Sequence, residues 1–126
     1  MGMRRVKVTV TTDGSGAATA YTPTLSGKVH SIDYVKPGAT SYTDGVDFAI
    51  TDEATGAGLW TQSDVNASAK VMPRGPTHSL VGVATLYAAG GTGVLDKVAI
   101  AQSRIKIVLA QGGAAKVGAF HFLIET

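Results

Sequence analysis

Short apolar runs separated by glycine-rich reversals, roughly one reversal every ten residues, constrain this chain more than any other feature. The clearest case is residues 104–125, RIKIVLAQGGAAKVGAFHFLIE. Ile105, Ile107, Val108 and Leu109 precede Gln111-Gly112-Gly113, and Val117, Phe120, Phe122 and Ile124 follow it. Two strand-length runs joined through a glycine pair predict a β-hairpin, because glycine enters the φ > 0 conformations that tight reversals require. At the other end, residues 4–12 (RRVKVTVTT) alternate strictly, with Val6, Val8 and Val10 on one face and Arg5, Lys7, Thr9 and Thr11 on the other. A period of two marks a strand half covered by a core. Asp13-Gly14-Ser15-Gly16 supplies a turn and residues 17–22 return to Pro23, so a first hairpin is expected over residues 6–21.

The middle of the chain repeats the pattern less cleanly. In residues 28–36 (KVHSIDYVK) neither face is wholly apolar, and Ile32 and Tyr34 are the expected inward pair. Residues 46–51 (VDFAIT) turn Val46, Phe48 and Ile50 inward, and short strands are expected at 59–62, carrying Trp60, and at 69–72. Residues 63–68 support at most a turn of helix. Pro73-Arg74-Gly75-Pro76 then predicts a long excursion. In residues 77–89 (THSLVGVATLYAA), Leu80, Val83, Ala84 and Tyr87 have helical spacing, but Val81, Val83 and Thr85 are β-branched and Gly82 opposes a helix interior. A strand is the expectation there. Residues 94–101 form another, turned by Gln102-Ser103 into the closing hairpin. Eight to ten short strands and no convincing helix predict an all-β fold, an antiparallel sandwich or barrel in one domain spanning 1–126.

At 126 residues the chain can bury roughly 65–70% of its unfolded surface, so a core forms without staples. It has no cysteine, which suits assembly in a reducing cytoplasm and removes disulfides and thiolate metal ligands. Charged residues make up only 16%, against roughly 25% in an average domain, and there are 16 glycines. So bland a surface predicts that part of it is covered by a partner. The net charge of +2 and the single basic cluster Arg4, Arg5 and Lys7, with no interleaved aromatic, argue against nucleic acid. No apolar segment of signal-peptide length follows the opening MGMRRVKVTV, and no window approaches the roughly 18 apolar residues of a membrane helix.

Reactive constellations are absent from the sequence. His30, His78 and His121 have no H-x-x-x-H or H-x-H spacing, so no metal site is expected. Asp44, Asp47, Asp52 and Glu53 lack the ligand order of a calcium loop and read as turn residues. Gly14-Ser15-Gly16 is not a nucleophile elbow, and neither Gly90-Gly91-Thr92-Gly93 nor Gly112-Gly113 precedes a phosphate-loop lysine. No catalytic residue and no cofactor is expected, and the chain reads as a non-enzyme. Trp60, Tyr21, Tyr34, Tyr42 and Tyr87 leave a carbohydrate-binding sandwich as an alternative, since exposed rings stack on sugars, although aromatics total only 6%.

Three segments carry a family resemblance: VTVTTDGSGAATAYTPTLSGKVHSIDYV, TDGVDFAITDEATGAGLWTQSDVNASAKVMPRGPTHS and YAAGGTGVLDKVAIAQSRIKIVLAQGGAAKVGAFHFLIE. Together they resemble small virion structural proteins of tailed bacteriophages, of the capsid cement or decoration type. The resemblance implies a jelly-roll-like β-sandwich, made in the host cytoplasm, that assembles as a dimer or trimer on the capsid exterior. Its implied partners are the major capsid protein and copies of itself. A head–tail, neck or tail component is the alternative that the same resemblance allows, and no catalytic residue comes with it. Two contact segments are expected. Residues 1–10, with Arg4, Arg5, Val6 and Val8, would exchange as an edge strand or arm. The excursion at residues 73–79 would be the second, with Pro76 at its bend and Arg74 reaching a capsid carboxylate.

Overall fold

The computed structural model describes residues 2–126, and it is the antiparallel β-sandwich expected, with ten strands in two sheets. The strands are β1 (Met3–Thr11), β2 (Ala18–Tyr21), β3 (Leu25–Val35), β4 (Asp47–Asp52), β5 (Gly58–Gln62), β6 (Ala69–Val71), β7 (Arg74–Pro76), β8 (Leu95–Ser103), β9 (Ile105–Ala110) and β10 (Val117–Glu125). The larger sheet runs β1-β10-β3-β8-β7, and β6 pairs with the second half of β3 beside β8. The smaller runs β2-β9-β4-β5. No helix among the described residues is long and apolar enough to cross a membrane. Residues 63–68 form bends rather than helix, anchored by buried Val65, whose N–H donates to the Val46 carbonyl.

Alternation decides which face each strand buries. In β10, Phe120, Phe122 and Ile124 point inward and are fully buried, while Ala119, His121 and Leu123 lie on the outer face. Phe48 and Ile50 of β4, Ile105, Ile107 and Leu109 of β9, and Ile32 and Tyr34 of β3 complete the apolar layer between the sheets. Phe48 is the hub. Its ring meets Tyr34, Trp60 and Phe120 edge-on at 4.9, 5.2 and 5.1 Å, which joins the two sheets through aromatic contacts.

Two expected hairpins, over residues 6–21 and 104–125, are corrected. β9 and β10 are consecutive, yet β9 pairs with β2 and β4 while β10 pairs with β1 and β3. The glycine reversal at 111–116 therefore carries the chain from one sheet to the other. β1 to β2 and β8 to β9 cross in the same way. The physical reason is that both strands flanking each reversal carry an apolar face, and facing those surfaces across the core buries both at once. Such alternation of consecutive strands between sheets gives the fold its jelly-roll-like character. Two of these reversals also hold each other: the Gly112 N–H donates to the Gly16 carbonyl, the Thr12 N–H donates to the Lys116 carbonyl at 2.9 Å, and the Lys116 N–H donates to the Thr12 hydroxyl oxygen at 2.9 Å. Gly16 has φ 82° and a side chain there would stand 2.9 Å from the Gly113 nitrogen, so only glycine fits.

The strand expected over residues 77–89 is also corrected. That stretch belongs to a projecting arm, residues 77–94, built from two successive tight reversals with only isolated bridges, His78 to Ala84 and Leu86 to Gly93. Without a sheet beside it, the β-branched run has no ladder to join.

Candidate docking surface

The arm grows from the β7–β8 edge of the larger sheet. Arg74, Gly75 and Pro76 pair with Lys97, Asp96 and Leu95, and Thr77 continues that ladder with its N–H and hydroxyl both donating to the Val94 carbonyl at 2.9 Å. Beyond that root, local hydrogen bonds shape the arm. Ser79 N–H donates to Val83 O, closing the first reversal over Gly82, and Tyr87 N–H donates to Thr92 O, closing the second. Bonds from Thr85 to Thr77 and from Val94 to Thr85 tie the two reversals together.

What the arm presents is apolar. Every residue from 78 to 92 is exposed, and no Asp, Glu, Lys or Arg occurs between 77 and 94. Leu80 is fully exposed, Val81 is 84% exposed and Tyr87 is 75% exposed. Among the described residues, seven of the ten exposed large hydrophobics lie from Met72 to Leu95. Apolar side chains clustered on one projection, rather than scattered singly, are the signature of an interaction surface. Its root is braced: Lys97 of β8 forms an ion pair with Glu125 of β10, and this hydrogen-bonded contact holds the Glu125 carboxyl below the usual carboxylate range.

The expected contact residues fall in several places. Arg74 is half-buried, and its guanidinium donates to the His30 carbonyl at 3.2 Å and to the Pro73 carbonyl at 2.7 Å. The guanidinium therefore fastens the arm's base to β3, and its expected outward reach is corrected. Pro76 is exposed at that base. Arg4 and Arg5 are exposed on β1, Val8 is half-buried, and Val6 is 6% exposed, so the core removes Val6 from any external contact. Met1 lies outside the described residues. β1 pairs with β10 from Met3–Glu125 to Thr11–Val117, so residues 3–11 are an integrated edge strand whose second edge is open, not a detached arm. The exposed part of the excursion, 78–92, extends beyond the expected 73–79. Its signal in the sequence is the uncharged run itself.

The other candidate chemistries have structural roles here. Trp60 is 6% exposed and its indole N–H donates to Gln62, while Tyr34 and Tyr42 are buried, so these rings form core and not a sugar platform. Tyr21 lies under the Arg104 guanidinium at 4.0 Å, and Arg104 is in turn paired with both Glu53 oxygens. Asp52 is buried and accepts from the Ser103 hydroxyl and from the Ala54 N–H, joining β4 to the β8–β9 crossing. Among the described residues no three His, Asp or Glu side chains gather where they could hold a metal ion. His30 and His121 lie on β3 and β10, and His78 lies on the arm.

No family model matches the chain, and no curated protein matches it. Among solved structures the chain is similar to the crystal structure of FLHE, at 8% sequence identity over 100% of both chains and a TM-score of 0.47.

Proposed function

We propose that this chain is a non-enzymatic structural protein of a tailed-phage virion that binds the exterior of the assembled capsid and stabilises it, as a cement or decoration protein. The observation that carries the docking role is the braced, uncharged arm at residues 77–94 with Leu80, Val81 and Tyr87 in solvent. The phage shell as the surface docked rests on the resemblance of the three sequence segments. In this reading the sandwich is a rigid mount, and the arm enters an apolar recess between major capsid protein subunits. Bridging subunits adds contacts that internal pressure must break. Fully burying one Leu, Val or aromatic side chain stabilises by about 1.5–3 kcal/mol, and a dimer or trimer multiplies modest arms by effective concentration. No cofactor enters.

Co-sedimentation with purified capsids lacking the protein tests this. The triple variant Leu80→Ser, Val81→Ser, Tyr87→Ser is expected to lose about 100-fold or more in affinity, since each 1.4 kcal/mol is tenfold. Undiminished binding by a variant with wild-type thermal unfolding would refute the docking role.

A further inference from the structure

The outer face of the larger sheet carries a second feature, running across β1, β10, β3 and β6. Register places Lys7 of β1 opposite His121 of β10, His121 opposite Asp33 of β3, and Asp33 opposite Lys70 of β6, so four strands contribute one row of ionisable side chains. Arg5 joins it, with its guanidinium donating to His121 Nδ1 at 3.3 Å. Arg5, His121, Asp33 and Lys70 border an open depression of about 550 Å³, walled on its apolar side by Val35 and Ala69, and Lys7 continues the row beyond it. Ion pairs among the described residues engage Lys36, Lys97 and Arg104, and leave Arg5, Lys7 and Lys70 without an acidic partner within 4.0 Å.

We infer that this row binds an acidic peptide segment of a partner protein, laid across the strands with one carboxylate at the Arg5–Lys7 end and a second at Lys70. The cations outnumber the acid in the row, so the local potential favours an anion. Asp33 sits between the two cationic ends and repels any carboxylate above it, which fixes the spacing. Three inter-strand intervals of about 4.8 Å separate Lys7 from Lys70, matching roughly four residues of extended peptide. The ligand is therefore a segment with acidic residues about four apart. A continuous phosphate backbone would lay charge directly over Asp33, and the row offers only a short positive face. The depression's apolar wall takes the neutral side chains between the two acids. This site does not depend on where in a virion, or on what larger assembly, the chain sits.

A peptide capped at both ends, with two glutamates separated by three alanines, titrated into the protein at low salt and followed by calorimetry, tests the site. Saturable binding is expected, weakened by about tenfold or more in Lys7→Glu/Lys70→Glu. Lys28→Glu/Lys106→Glu, which alters net charge equally elsewhere, is expected to bind as the wild type does. Asp33→Asn is expected to bind several-fold more tightly, a gain that damage to the fold would not produce. Absence of saturable binding, equal losses in the two charge-reversed pairs, no gain in Asp33→Asn, or tighter binding of oligothymidylate than of the two-glutamate peptide would each overturn the proposal.

Discussion

Phe48 and Gly118 mark the two ways in which single residues hold this sandwich. Phe48 touches rings from both sheets, so Phe48→Ala leaves a cavity that neither sheet can close alone, with an expected loss of about 3–5 kcal/mol in chemical denaturation. At Gly118 the constraint is close approach: a Cβ there would enter the Tyr42 ring. Gly118→Ala is expected to lose about 1–3 kcal/mol by overpacking, measured the same way. The inward position of Phe48 is legible in VDFAIT because its period of two survives without knowledge of the partner strand. Gly118 is not legible, because the ring that excludes a side chain comes from a distant loop. Tyr42 also adds a pH dependence. Its hydroxyl donates to the Val10 carbonyl, and burial, the largest cause, pushes its ionisation above the ordinary tyrosine value. A group whose folded pKa is raised contributes stability that is complete below about pH 10 and declines as pH climbs toward the folded value. Alkaline titration should therefore show the Tyr42 phenolate only with unfolding, and Tyr42→Phe should flatten the alkaline decline. An unchanged decline in that variant would show that Tyr42 does not set it.

Elements were legible where their own residues decide them. Strand positions and their inward faces follow from alternation, and turns follow from Asp13-Gly14-Ser15-Gly16 and Gln111-Gly112-Gly113. Which strands pair does not follow from them. A glycine reversal permits either a hairpin or a crossing between sheets, and only the shared core chooses between the two. The arm was half legible: Pro73 and Pro76 announce an excursion, but the apolar residues after them resemble a buried strand, since sequence alone cannot distinguish apolar surface kept for a partner from apolar core. The arm's separateness has a consequence. Replacing residues 78–93 with Asn-Gly continues the Thr77–Val94 pairing into a two-residue hairpin and removes no buried core residue. The midpoint of thermal unfolding is expected to stay within roughly 5 °C of wild type. A large fall would mean that the arm supports the core rather than projecting from it.

On the scale of the whole molecule, the two sheets form a rigid mount with its apolar arm at the β7–β8 edge and an open β1 edge at the other end of the larger sheet. The Lys97–Glu125 pair links the arm's root to the sheet's interior strand β10. Because Glu125 is held below the usual carboxylate range, that contact persists above the ordinary glutamate pKa and is lost as pH falls through the lowered value. Protection from hydrogen exchange at Thr77 and Val94, after correction for the intrinsic pH dependence of exchange, should fall over that acid window and should already be low at every pH in Glu125→Gln, where the pair is absent. The most direct measurement for the molecule as a whole is an electron cryo-microscopy map of capsids saturated with the protein. The predicted result is the sandwich standing off the shell with Leu80, Val81 and Tyr87 buried against capsid subunits. Density showing the arm in solvent and another face against the shell, or no occupancy on the shell, would contradict it.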